Sequence, residues 1–427
     1  DALAEAVGAL CRTDYARREG EPFSAKAYRV RRVGGVRYTY VKVTSGVLRA
    51  RDEVRTISGV CKVAAILAPQ GGRLLPMGEA HAGQTAALAG LSARPGERIG
   101  DGFGLEAPET VPLMSVQVEP TAPLTQSALL AHLREMEEED PLLSVRPEAD
   151  GVSVGVMGAV QVEVLQGILA ARFGDVVRMC PPHVLYKETI AAPVVGIGHY
   201  EPLRHYAEVW LKLEPGAPGS GISFAADCPP NSLEENWQRL IRTHVFERAH
   251  PGVLTGSPLC DVRIRLIAGR AHLKHTEGGD FREATCRAIR NALMQAENVL
   301  LEPVVRFELA MPNEALARVT GELLRIGAQL DASETDGGET TLTGRCTAAM
   351  FWDYPTRFAA STHGHGRIAS RFDRYEPCKN QDDMVRQSGY DPLADTLNPP
   401  GSVFCSHGAG FYVAWDHVRE WAHCEVE

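Results

Sequence analysis

The chain runs to 427 residues, 44% hydrophobic and 23% charged, with a net charge of −10. That length accommodates several domains at roughly 100–200 residues each, and no apolar run approaches the roughly 20 residues a membrane-spanning helix needs. The ten cysteines form no CxxC and no regular spacing, so neither a zinc site nor a disulfide framework is indicated, and the acidic total excludes a global basic field for nucleic acid.

Residues 1–20 place Leu3, Val7, Leu10 and Cys11 at helical spacing ahead of Arg12, Arg17 and Arg18. The pattern predicts a remnant helix or linker that begins mid-protein. Over residues 21–110 the period changes to two. Short strands are expected at 27–31, 38–42, 54–56 and 63–66, separated by glycine pairs and polar turns, and together they predict a small β-barrel. Residues 1–110 carry 16 Lys and Arg against 12 Asp and Glu, while 111–190 carry 5 against 11. Any RNA contact must therefore be local.

Residues 111–187 predict an α+β sandwich: a strand at 113–118, a helix capped by Thr125, a strand at 152–157, a second helix and a strand at 176–180. Leu129, Leu130, Leu133 and Met136 form the stripe of the first helix, which Asp140-Pro141 stops. In the second, Val160, Val164, Leu165, Ile168 and Leu169 are expected to face inward, with Gly174 just past its end.

Residues 188–302 form an excursion of split βαβ type. It opens with the turn-rich GIGHYEPLRHY, continues with a strand at 205–213, and passes through a Gly/Pro-rich turn at 214–221. A helix capped by Ser232 and Glu235 follows, then a strand at 260–266, the loop 271–281 (AHLKHTEGGDF), and a helix at 281–297 capped by Asp280 and Glu283. Gly278-Gly279 predicts a mobile tip for that loop. Residues 303–380 read β-α-β-β-α-β, the ferredoxin-like order, with Tyr354-Pro355 breaking the second helix. Residues 381–427 are a C-terminal extension ending in a short helix at 415–423. The whole is a multidomain α+β chain.

No catalytic or metal-ligating set emerges. His363 and His365 lack a third ligand at suitable spacing, and Cys405-Ser406-His407 places nucleophile and base on neighbouring residues, which seldom share a face. The acidic run 137–140 reads as a solvated helix end. The loop 271–281 offers Lys274 to phosphate and His275 to a base; Tyr200, Arg204 and His205 offer a second fingertip of rings and a guanidinium.

Several motifs carry a resemblance. Tyr40-Val41-Lys42-Val43-Thr44-Ser45-Gly46-Val47-Leu48 with Arg51-Asp52-Glu53-Val54 resembles the second domain of elongation factor G and of the ribosomal protection proteins of the TetM and TetO type. Glu138-Glu139-Asp140-Pro141-Leu142-Leu143 and the segment from Gly155 through Met157, Ala159 and Gln161 to Val164 are similar to the third domain. Gly256-Ser257-Pro258-Leu259-Cys260-Asp261-Val262 is similar to the fourth. Ser361-Thr362-His363-Gly364-His365-Gly366-Arg367 followed by Phe372-Asp373-Arg374-Tyr375-Glu376 is similar to the fifth. The motifs are collinear over residues 21 to about 380, and the wording of the first, with the tail beyond Glu376, favours the TetM branch.

The resemblance implies a ribosome-binding portion, domains II to V, of a translational GTPase whose parent hydrolyses GTP. Its implied partners are small-subunit rRNA and adjoining ribosomal proteins, with no DNA and no membrane, in a cytoplasmic monomer. Contact with the decoding region is implied for Tyr200, Arg204, His205, Lys274, His275 and Thr276. No GxxxxGK[ST] occurs in the 427 residues, so GTP and magnesium are expected in a domain outside them. The polar loop differs from the Ser/Pro/Val-rich loop of TetM and predicts weak protection against tetracycline. Two alternatives stand beside this reading: an elongation factor G-type translocase, and a stand-alone RNA-binding scaffold without GTPase activity.

Overall fold

The computed structural model describes residues 5, 8, 13–105, 111–148 and 151–424. The helix expected through Leu3, Val7, Leu10 and Cys11 lies outside the described residues. The chain divides into two compact units, 1–183 and 184–427.

In the first unit, period-two segments from Ser24 to Leu105 form a seven-stranded sheet and two short strand pairs. Their inward residues, among them Ala25, Val41, Leu48, Val54, Ile66, Leu88 and Ile99, share one apolar core. The α+β part follows as a four-stranded sheet with two helices. Thr125 caps the helix Gln126–Glu139 by accepting from the Ala128 N–H, and Leu129, Leu133 and Met136 are buried. The helix Ala159–Phe173 departs from expectation. Only Leu165 and Leu169 are buried, whereas Val160, Val164 and Ile168 are exposed. A helix on a single sheet face buries one narrow stripe, so an apolar run wider than that stripe leaves its flank in solvent.

The second unit, numbered from its own start, begins with β1 (Lys187–Ile190), β2 (Val194–Tyr200), β3 (Ala207–Pro215) and β4 (Ile222–Ala226). Then come α1 (Glu235–Phe246), β5 (Val262–Ala271) and α2 (Gly278–Gln295). The opening GIGHY is thus a strand and not a turn. Gly196 and Gly198 are there for close packing, because a side chain at either position would overlap the backbone carbonyl of Ala288 or Ala284 in α2. The caps also differ. Ser232 makes no cap for α1, whose N-cap is Glu234 without a side-chain bond. The capping box of α2 is Glu277 with Asp280, one turn before the expected Asp280 and Glu283. Gly278 and Gly279 accordingly begin the helix, and the expected mobile glycine tip is corrected to a helical first turn.

Next are β6 (Asn298–Pro312), α3 (Leu316–Arg325), β7 (Gln329–Asp336), β8 (Glu339–Thr347), α4 (Tyr354–Ser361) and β9 (Arg367–Pro377). The order β9-β6-β8-β7 is ferredoxin-like, with β1 lengthening the edge of β6. The helix does restart at Tyr354, with Pro355 in its first turn. His363 and Gly364 take positive φ in the turn before β9.

The tail is more structured than its Asp/Gly/Pro-rich composition suggests. After α5 (Gln381–Ser388), β10 (Ser402–Ser406) and β11 (Ala409–Val413) form a hairpin around His407. The hairpin joins the first sheet of this unit, in the order β4-β5-β3-β2-β10-β11, with β10 parallel to β2. The central strand β3 is therefore covered twice. Ala207, Val209, Leu211 and Leu213 face the α2 core, while Trp210 packs with Ile197, Phe404, Val413 and Val418 on the other side.

Candidate nucleic-acid interface

β3 and β5 run antiparallel with Ala207 opposite Ala271, so the loop entering β3 and the loop leaving β5 emerge at one end of the sheet. This register brings the two predicted groups together: Arg204 and His205 in the first loop, Lys274, His275 and Thr276 in the second.

The second loop is closed by hydrogen bonds. Thr276 Oγ1 accepts from the His272 N–H at 2.7 Å and donates to the Tyr206 carbonyl at 2.6 Å. The N–H groups of His275 and Thr276 both reach the His272 carbonyl, and the Lys274 N–H reaches His272 Nδ1. His272 and His275 stack with centroids 4.6 Å apart. Thr276 thus holds the loop to its neighbour. Lys274 and His275 stand exposed, and Leu273 at the apex is 100% exposed.

In the first loop, Arg204 is exposed with φ of 66°, and Leu203 beside it is 63% exposed. His205 Nδ1 lies 2.8 Å from Asp280 Oδ1, and Asp280 also accepts the Glu277 N–H as part of the α2 cap. The first loop is thereby tied to the start of α2. Tyr200 sits behind the others, half-buried at the end of β2, its ring against the α2 core and 5.8 Å from the Arg287 guanidinium. Leu203, His272 and Leu273 were missed by sequence reasoning. For His272 a signal was present, since its ring lies in the same polar loop as Lys274 and His275; for the two leucines there was none.

Directly beneath the tip lies the one group of His, Cys, Asp and Glu side chains among the described residues with metal-like proximity: His199, Glu208 and His423, ligand atoms within 4.8 Å. Its chemistry is that of a hydrogen-bond cage. Glu208 accepts from His199 Nδ1 (2.7 Å), Trp210 Nε1 (2.8 Å) and the N–H groups of His423 and Cys424 (2.8 and 2.7 Å). With about four lone-pair sites on a carboxylate, none is left for an ion. Burial pushes the Glu208 carboxyl up, but these donors outweigh it and hold it down at about 2. His423 is held below the ordinary histidine value by burial and by the neighbouring His199.

Residues 182–297 match the family described as elongation factor G, domain IV, and residues 299–385 match elongation factor G C-terminus. The chain carries elongation factor G-like domains. Both loops of the interface lie inside the domain IV-like segment. A crystal structure of a protein from Thermus thermophilus aligns with a TM-score of 0.55 at 23% identity, covering 91% of this chain and 60% of that one. At that identity the likeness is one of fold. The chain spans 60% of that relative's length.

The glycine-rich segment Gly71-Gly72-Arg73 turns a hairpin between Ala65–Gln70 and Arg73–Pro76. A strand follows it, so no helix N-terminus is there to take a phosphate. Among the described residues no helix is long and apolar enough to cross a membrane.

Proposed function

We propose that this chain is the ribosome-binding portion of a TetM-like translational GTPase, in which the domain IV-like tip reaches the decoding region. One observation carries the reading: in a domain similar to elongation factor G domain IV, two loops meet and present Arg204, His205, Lys274, His275 and an apolar apex at Leu273. Guanidinium and ammonium groups meet phosphates, while rings stack on unpaired bases. The partner is small-subunit rRNA with adjoining ribosomal proteins, met by a cytoplasmic monomer. GTP and magnesium belong to a domain outside these residues.

The test is co-sedimentation of the chain with purified ribosomes over a series of salt concentrations. Binding is expected to weaken with salt, and Lys274→Ala is expected to lower the slope by about one unit, the value for one lost phosphate contact. An unchanged slope removes Lys274 from the interface. Absence of binding at low salt defeats the whole reading.

The weak protection expected above assumed a mobile tip; the loop is closed instead, and that favours the drug-protection branch. Ordering a loose tip on binding costs conformational entropy, and the hydrogen bonds within 272–276 and from Thr276 to the Tyr206 carbonyl reduce that cost. Expression of the gene in a tetracycline-susceptible host is expected to raise the inhibitory concentration, and deletion of His272–Thr276 to abolish the rise. No rise at all leaves a translation factor of the elongation factor G type.

A further inference from the structure

We infer that the C-terminal segment 402–424 is a brace that sets the position of the 272–276 loop, with Tyr206, Glu208 and His423 as its positioning residues. The inference concerns the fold of the tip and stands without ribosome binding; only its functional consequence rests on the proposed function.

The connection can be followed bond by bond. The tail ends by directing the His423 and Cys424 N–H groups onto the buried Glu208 carboxylate in β3. The His423 ring lies over Tyr206, centroids 5.8 Å apart and nearly parallel, with its Nδ1 3.0 Å from the Tyr206 hydroxyl. Tyr206 is the residue whose carbonyl holds Thr276 Oγ1, and its ring also meets that of His272 at 6.3 Å. The loop is therefore fastened to a residue that the tail clamps from behind.

The opposite end of the tail is fastened with equal care. Arg287, Arg290 and Asn291 are buried polar residues on α2, an arrangement that needs partners. They find them in the tail: Arg287 donates to the Gly401 carbonyl, Arg290 to the Tyr390 hydroxyl, and Asn291 Nδ2 to the Trp415 carbonyl. Asn291 Oδ1 meanwhile accepts the Ile197 N–H of β2. Helix, sheet and tail are joined through single side chains, so the tail is a layer of the domain and transmits its position to the tip.

The experiment is limited trypsin digestion of the chain 1–427 and of the same chain ended at Ala422, with cleavage after Lys274 followed by mass spectrometry. Lys274 is the only trypsin site in residues 271–281. Ending at Ala422 removes both N–H donors and the His423 ring, and cleavage after Lys274 is expected to rise about tenfold, as for the loss of one or two hydrogen bonds. Cleavage after Arg263 and Arg265 within β5, which follows unfolding of the whole domain, is expected to rise by a clearly smaller factor. Tyr206→Phe, which loses only the hydroxyl bond to His423, is expected to give a smaller rise in the same direction. An unchanged rate after Lys274 overturns the brace. Equal acceleration after Arg263 and Arg265 also overturns it, since the tail would then stabilise the whole domain without acting on the tip. If the loop opens as expected while the intact chain fails to bind ribosomes, the brace stands and the ribosome reading falls alone.

Discussion

Gly198→Ala is expected to cost about 3 kcal/mol of stability or more, the upper part of the range for overpacking a fixed core. A methyl group at this position would overlap the Ala284 carbonyl oxygen and crowd the Ala288 N–H, both backbone atoms of α2. Backbone cannot rotate away as a side chain can, so β2 and α2 must separate. That separation opens the core around Ala207, Val209, Phe281 and Ala288. Chemical denaturation followed by tryptophan fluorescence checks it, because Trp210 and Trp237 both belong to this domain. A midpoint equal to that of the parent chain would show that the helix accommodates the methyl without strain.

Glu208→Ala is expected to be as severe, about 3–5 kcal/mol, the usual cost of removing one partner from a buried charged network. Glu208 and His199 are fully buried, and four neighbouring groups aim N–H bonds at the carboxylate. Alanine leaves those donors without an acceptor. The same network makes stability depend on pH. The folded chain holds this carboxyl at about 2, below its ordinary 4.5, so as pH falls the unfolded chain takes up the proton first. The contribution is fully present above about pH 5 and is lost progressively as pH falls towards 2, in total about 3 kcal/mol at 1.36 kcal/mol per unit. Thermal unfolding between pH 7 and pH 3 should show a steeper loss in the parent chain than in Glu208→Ala. Parallel curves would mean that the cage is not the acid-sensitive element.

Local signals were legible wherever one chemical rule decided the outcome. Thr125 as a helix cap, Asp140-Pro141 as a stop and Gly174 after a helix each depend on a few neighbouring residues, and each is found where expected. Where two rules competed, the sequence misled. Gly196 and Gly198 fit a turn as well as a tightly covered strand, and only the presence of α2 above them separates the two. Gly278-Gly279 fits a mobile tip as well as a helix start, and the Glu277–Asp280 box chose the second. The tip residues were found in part, because charge and rings are visible in a loop, while the exposed Leu203 and Leu273 look like ordinary core residues until the fold leaves them outside.

By itself the sequence determined the α+β character, the β-α-β-β-α-β order over residues 303–380, and the placement of the 271–281 loop between a strand and a helix. These follow from periodicity and turn chemistry, which act over a few residues. Only the tertiary structure decided what covers the second face of β3. Glu208 and Trp210 lie on that face, and in sequence they are two polar-capable residues in an alternating strand. The partners that bury them, Phe404, Val413, His423 and Cys424, come from about 200 residues further along. No local pattern specifies a contact at that separation. It is selected because a buried carboxylate needs donors, an apolar face needs cover, and the returning tail supplies both.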